Sequence, residues 1–241
     1  MGKYEFTDEI KVVNGIALHR IKAITDFGNV KVGELGGFIK KRANLSDEGN
    51  AWVSDNAEVC GDARVSGNAE VSDNAEIFGD ARVYGDARVF GDARVCGDAR
   101  VFGDARVCGD ARVFGDARVC GDARVCGDAW VYGDARVYGD ARVCDNAEVC
   151  GDADYICIKG LGSKYRNTTF YNNKKGGVSV CCGCFYGTLD EFAAKVKETH
   201  ADNVYAKEYL AAVEVVKIHF GSRMINAMGS VKIRTNSGVK M

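Results

Sequence analysis

The sequence contains no proline, only three histidines and only two tryptophans in 241 residues. Roughly twelve prolines would be usual at about 5% of a chain this long. Their absence suits a protein made largely of continuous backbone ladders, which cannot spare N–H donors. Lysine is missing between Lys41 and Lys159. No run of about 18 apolar residues exists, so no transmembrane helix and no membrane partner are expected. The opening Met1-Gly2-Lys3-Tyr4-Glu5 lacks the apolar segment of a secretory signal.

Cysteine and glycine, by contrast, are plentiful, at 11 and 30 residues. Disulfide scaffolds are short and poor in core, and this chain is neither, so reduced thiols in a cytoplasm are expected. The net charge of −2 hides a split. Residues 53–154 carry 11 Arg against 21 Asp and Glu, a net of −10, and the rest carries 21 Lys and Arg against 13 Asp and Glu, a net of +8. The body is acidic and the flanks are basic, and the overall balance does not point to nucleic acid, so none is expected as a partner.

From Val53 onward an aliphatic residue recurs every six positions, through Val59, Val65 and Ile77 to Val149, with Tyr155 in the next place. Alanine follows each by four, from Ala57 to Ala153, and the unit reads Val-x-Gly-Asp-Ala-Arg. Seventeen hexads pass without insertion over 102 positions. A period of six does not fit the 3.6 of a helix. In strand alternation, Ala and Val face one way while Arg and the residue after Val face the other. Gly-Asp then turns the corner. Three strands and three corners close a coil of 18 residues. Nearly six coils at about 4.8 Å each make a prism roughly 27 Å long. The ends of such a solenoid are open edges that need caps.

The flanks supply cap candidates. Asn14-Gly15 between Ile10–Val13 and Ile16–Ile21 is a hairpin signal. After Asp154 the pattern stops. Tyr155–Ile158 continues as a strand, and Thr168–Tyr171 with Val178–Cys182 suggests a second hairpin. Thr188-Leu-Asp-Glu191 has the form of a capping box opening a helix with Leu189, Phe192 and Val196 on one face. A second helix is expected over about 206–219. Residues 1–52 thus read as a β-rich N-terminal cap, 53–154 as the repeat, 155–220 as a small α+β domain, and 221–241 as a basic tail.

The hexad resembles the left-handed hexapeptide-repeat fold, which implies a left-handed parallel β-helix in a mainly β protein. The flanks carry a more specific resemblance. Gly36-Gly37-Phe38-Ile39, Asn44-Leu45-Ser46 and Gly49-Asn50-Ala51-Trp52-Val53 precede the repeat. Val178 to Phe192 and Tyr205 to Leu210 follow it. Together they resemble accessory proteins encoded by phages and prophages. That resemblance implies a host bacterial cytoplasm and an accessory role, and it implies no reaction. The hexapeptide fold further implies a homo-oligomer, a trimer above other states.

Each chemical candidate has a plainer reading beside it. Hexapeptide-fold acyltransferases generally use a histidine near the coils and loops that shape a cleft. Here His19, His200 and His219 all lie outside the repeat, and no hexad carries an insertion. No catalytic residue is therefore assigned, and the chain is read as a non-enzyme. Cys181-Cys182-Gly183-Cys184 with Cys157 could ligate zinc, but adjacent Cys181 and Cys182 point to opposite faces of a strand. Cys108, Cys126 and Cys144 stack one coil apart and are read as filling a slot. No metal and no cofactor are expected. Corner aspartates lie beside arginines, which offers them neutralisation.

Folding at 18 residues per coil gives three outward faces. The first stacks Arg64, Arg82, Arg100, Arg118 and Arg136 beside Ser66, Tyr84, Phe102, Cys120 and Tyr138. The second begins with Glu70 and the third mixes Glu, Arg and Trp130. Ladders of Arg and aromatic rings mark interfaces, or else Arg stems simply cover the rings. Arg82, Arg100, Arg118, Arg136, Tyr84, Phe102 and Tyr138 form the candidate binding site. The expected function is a non-catalytic binding scaffold with an anti-defence role. It would sequester an anionic nucleotide-like ligand or block a host defence protein. A self-assembling structural protein and an acyltransferase-like enzyme are the alternatives.

Overall fold

The computed structural model describes residues 2–229, with side chains as far as Gly221. One local event builds its middle. At a corner such as Gly103 the backbone takes φ 71°, and a Cβ there would stand 3.0 Å from the backbone nitrogen of Gly121 in the next coil. Glycine meets both demands, the left-handed turn and the close stacking of corners. The chain then runs straight for two residues, Arg106–Val107, before turning again. Seventeen such strands follow from Trp52–Val53 to Glu148–Val149. They sort into three parallel sheets with a register of 18 residues, Arg100 pairing with Arg82 and with Arg118. Backbone bonds tie each coil to the next, as in Arg82 N–H to the Ala99 carbonyl at 2.9 Å and Tyr84 N–H to that of Val101 at 3.0 Å.

Strand alternation sends the repeat Ala and Val inward, and all of them from Val53 to Val149 are buried. Each valine so buried contributes roughly 1.5–3 kcal/mol relative to exposure. The result is a parallel β-solenoid of nearly six turns with a narrow interior of methyl groups.

The N-terminal end is closed by the expected hairpin, β1 (Tyr4–Val13) and β2 (Ile16–Ala23), followed by β3 (Leu35–Ile39). β3 joins the solenoid in parallel, Phe38 opposite Glu58. Gly37 has a packing reason, because a Cβ there would stand 2.6 Å from the Ala57 carbonyl. Asn44 is fully buried. Its side-chain amide donates to the carbonyls of Ala63 at 2.8 Å and Gly61 at 3.3 Å, and its oxygen accepts from Lys41 N–H at 2.9 Å. It completes the edge that the first coil leaves open. Lys3 also spans the cap, its amine donating to the carbonyls of Ala51 and Gly49. Burial pulls that amine down to about 8, against the attraction of Asp47.

At the other end, strands Tyr155–Leu161, Arg166–Asn172, Val178–Cys182 and Phe185–Thr188 form an antiparallel sheet. Its alternation serves two cores. Tyr155, Tyr171 and Cys181 close the solenoid interior, while Phe170, Val180 and Cys182 meet the helices. Helix α1 (Leu189–His200) opens on the expected capping box of Thr188 and Glu191. Helix α2 (Val204–Gly229) is longer than the sequence pattern suggests. The basic tail expected from 221 therefore begins inside a helix. Residues 230–241 lie outside the described residues.

Candidate functional site

The first face is a five-stranded sheet in which Arg64, Arg82, Arg100, Arg118 and Arg136 stand in unbroken register. Parallel strands put neighbouring guanidiniums about 4.8 Å apart at their roots, where like charges repel. The rings run beside them. Tyr84 and Phe102 stack with centroids 4.9 Å apart and planes 1° apart. Cys120 interrupts the ring column, its thiol pushed up by burial against the pull of Arg118. Tyr138 is 61% exposed beyond it and meets Tyr155 edge-on at 6.3 Å.

The predicted residues are thus on one face, but they do not all converge. Arg64, Ser66, Arg82, Tyr84 and Arg100 line a shallow cavity of about 300 Å³. Phe102, Arg118, Arg136 and Tyr138 continue the face outside it. Arg64 and Ser66 complete the cavity, and the same 18-residue register points to them.

One arginine on each of the other two faces finds an acid in the next coil. On the second, Arg88 pairs with Glu70 at 3.3 Å, and on the third, Arg94 pairs with Glu76 at 3.0 Å. None of the five first-face arginines forms an ion pair among the described residues. The expected pairing of repeat arginines with corner aspartates is likewise not found among them. Third-face rings are engaged from within the chain: Lys174 lies 4.2 Å from the Trp130 ring centre, and Arg112 lies 5.4 Å from it. Tyr132 donates to Glu148 at 2.8 Å, which pushes its phenol up to about 12.

The cysteines divide by location. Cys108, Cys126 and Cys144 form a thiol column on the second face that continues to Cys181. Thiol–thiol hydrogen bonds to Cys126 push Cys108 and Cys144 up. Cys157 and Cys181 pack on the solenoid side of the C-terminal sheet, Cys182 on the helix side, and Cys184 is exposed. Strand alternation therefore splits the candidate zinc set.

The histidines lie in the flanks. His19 packs on Phe6, and His219 bonds the Ala153 carbonyl at 2.8 Å. His200 stacks on Tyr209 and helps line a cavity of about 340 Å³ floored by Phe185, Phe192 and Val196. A second, polar cleft of about 630 Å³ holds Arg124, Arg142 and Arg166. Neither was legible in the sequence, because each is completed by residues of the C-terminal segment that no period relates to the coils or to one another.

Residues 81–145 match the family model described as YdcK Beta solenoid repeat, in the overlapping stretches 81–95, 93–109, 105–121, 117–133 and 129–145. The chain is similar to that family over its central coils only. No curated protein matches the chain.

Proposed function

We propose that this chain is a non-catalytic binding scaffold whose first face holds an anionic partner. The observation that carries this reading is the unbroken column of five arginines from Arg64 to Arg136, the one face with no glutamate or tryptophan in that register. Stacked like charges cost free energy that a bound anion would recover, and guanidinium forks suit carboxylate and phosphate alike. Tyr84, Phe102 and Tyr138 would add apolar burial beside the charges. The partner would be a nucleotide-like ligand or the acidic surface of a host protein. An anti-defence role follows from the likeness of the flanking motifs to phage accessory proteins.

Self-association through this face is the second reading. It is favoured over head-to-tail stacking because both ends of the ladder are covered, by Asn44 and Leu45 at one and by the Tyr155 and Tyr171 layer at the other. Either reading predicts that Arg100→Glu with Arg118→Glu loses co-purified ligand in native mass spectrometry, or loses mass in sedimentation. Arg106→Glu with Arg112→Glu, exposed on the other two faces, serves as the matched control. A first-face variant that assembles and retains ligand like wild type, while the control does not, would overturn the assignment of the face.

A further inference from the structure

The cleft between the last coils and the C-terminal sheet is built differently from the rest of the acidic body. Arg124 and Arg142 are ladder neighbours on the second face. Arg166 reaches the same cleft from the C-terminal sheet. Two of the three are held in place. Arg142 donates its backbone N–H to Thr169 Oγ1 at 3.0 Å and its guanidinium to the Gly183 carbonyl at 3.4 Å. Arg166 lies across Gly183 so closely that a Cβ there would stand 2.3 Å from a guanidinium nitrogen. Gly183 also takes φ 61°.

The negative charge is smaller than the positive. Asp122 and Asp140 line the cleft, and Asp140 is already engaged by Lys159. Three guanidiniums and one ammonium against two carboxylates leave a local excess of two positive charges, in a repeat whose own net is −10. Roots about 4.8 Å apart let Arg124 and Arg142 fork onto adjacent phosphoryl groups, with Arg166 on a third side. At the lip stands Tyr165, 80% exposed and held at φ 48°. A residue other than glycine in that region carries strain. Its ring is open for stacking.

We propose that this cleft binds a small molecule in which a diphosphate is joined to a flat ring, the chemistry of a nucleoside diphosphate. Arg124, Arg142 and Arg166 take the phosphates and Tyr165 takes the ring. The site does not rest on the first-face reading. Arg100 and Arg118 lie outside the cleft, so either can fail while the other stands.

Isothermal titration of the full chain with ADP, pyrophosphate and adenosine tests it. ADP and pyrophosphate bind, adenosine does not, and raising salt weakens both phosphates. Arg124→Gln and Arg166→Gln each weaken ADP at least tenfold, whereas Arg106→Gln, one coil away on the same face, does not. Tyr165→Ala weakens ADP severalfold and leaves pyrophosphate unchanged. Circular dichroism melts of every variant must match wild type. Arg124 sits on an exposed coil position, so its replacement leaves the fold intact. Absence of heat with both phosphates overturns the proposal, as does equal binding by the arginine variants. Pyrophosphate binding without ADP binding overturns the nucleotide assignment.

Discussion

At the scale of the residue, the repeat is a set of positions with opposite tolerances. Val101 is fully buried between the valines of neighbouring coils, while Arg100 beside it faces outward. An aspartate at 101 would place an unpaired charge in a methyl-lined interior with no room for water, at a cost of several kcal/mol. Val101→Asp is therefore expected to abolish the cooperative thermal transition in circular dichroism. Arg100→Ser should shift stability by no more than about 0.5 kcal/mol. A cooperative melt for Val101→Asp near the wild-type temperature would reverse the inside–outside assignment.

At the scale of the element, the short coil strands have no stability of their own and depend on neighbours above and below. The helices carry local signals instead. Thr188 Oγ1 accepts from Glu191 N–H at 3.3 Å, and Glu191 Oε2 accepts from Thr188 N–H at 2.7 Å. Thr188→Ala should cost about 1 kcal/mol, read as a lower denaturant midpoint for the C-terminal domain. The Thr188 N–H, together with its hydroxyl, which donates to the same oxygen at 2.9 Å and is lost in the alanine variant, holds the Glu191 carboxyl below its usual range. A depressed carboxylate contributes stability above the unfolded-state value and loses it as pH falls through the folded one. The gap between wild type and Thr188→Ala should therefore narrow on acidification below the ordinary glutamate range. A gap that widened there would remove Glu191 from the cap.

At the scale of the whole molecule, the solenoid stacks like on like. Repeat arginines stand over arginines, corner aspartates over aspartates, and the repeat is acidic in sum. Screening shortens the reach of such repulsion from about 30 Å at 0.01 M salt to about 10 Å at 0.1 M. The melting temperature should accordingly rise by a few degrees over that range, in contrast to a protein held together by surface ion pairs. A fall would show that attraction between the columns outweighs repulsion within them. The same stacking explains what could be read in advance. Each repeat residue meets residues 18 before and 18 after it, so period, composition and strand alternation alone determined the coils, the buried Val and Ala, the three faces and the need for caps. The hairpin at Asn14-Gly15 and the capping box at Thr188 were legible because both are local chemistry. Only the tertiary structure decided that Arg166 lies over Gly183, and that it stands beside Arg124 and Arg142. Those outcomes depend on how a non-repeating sheet docks on the last coil, where contacts join positions far apart in the chain and no period relates them.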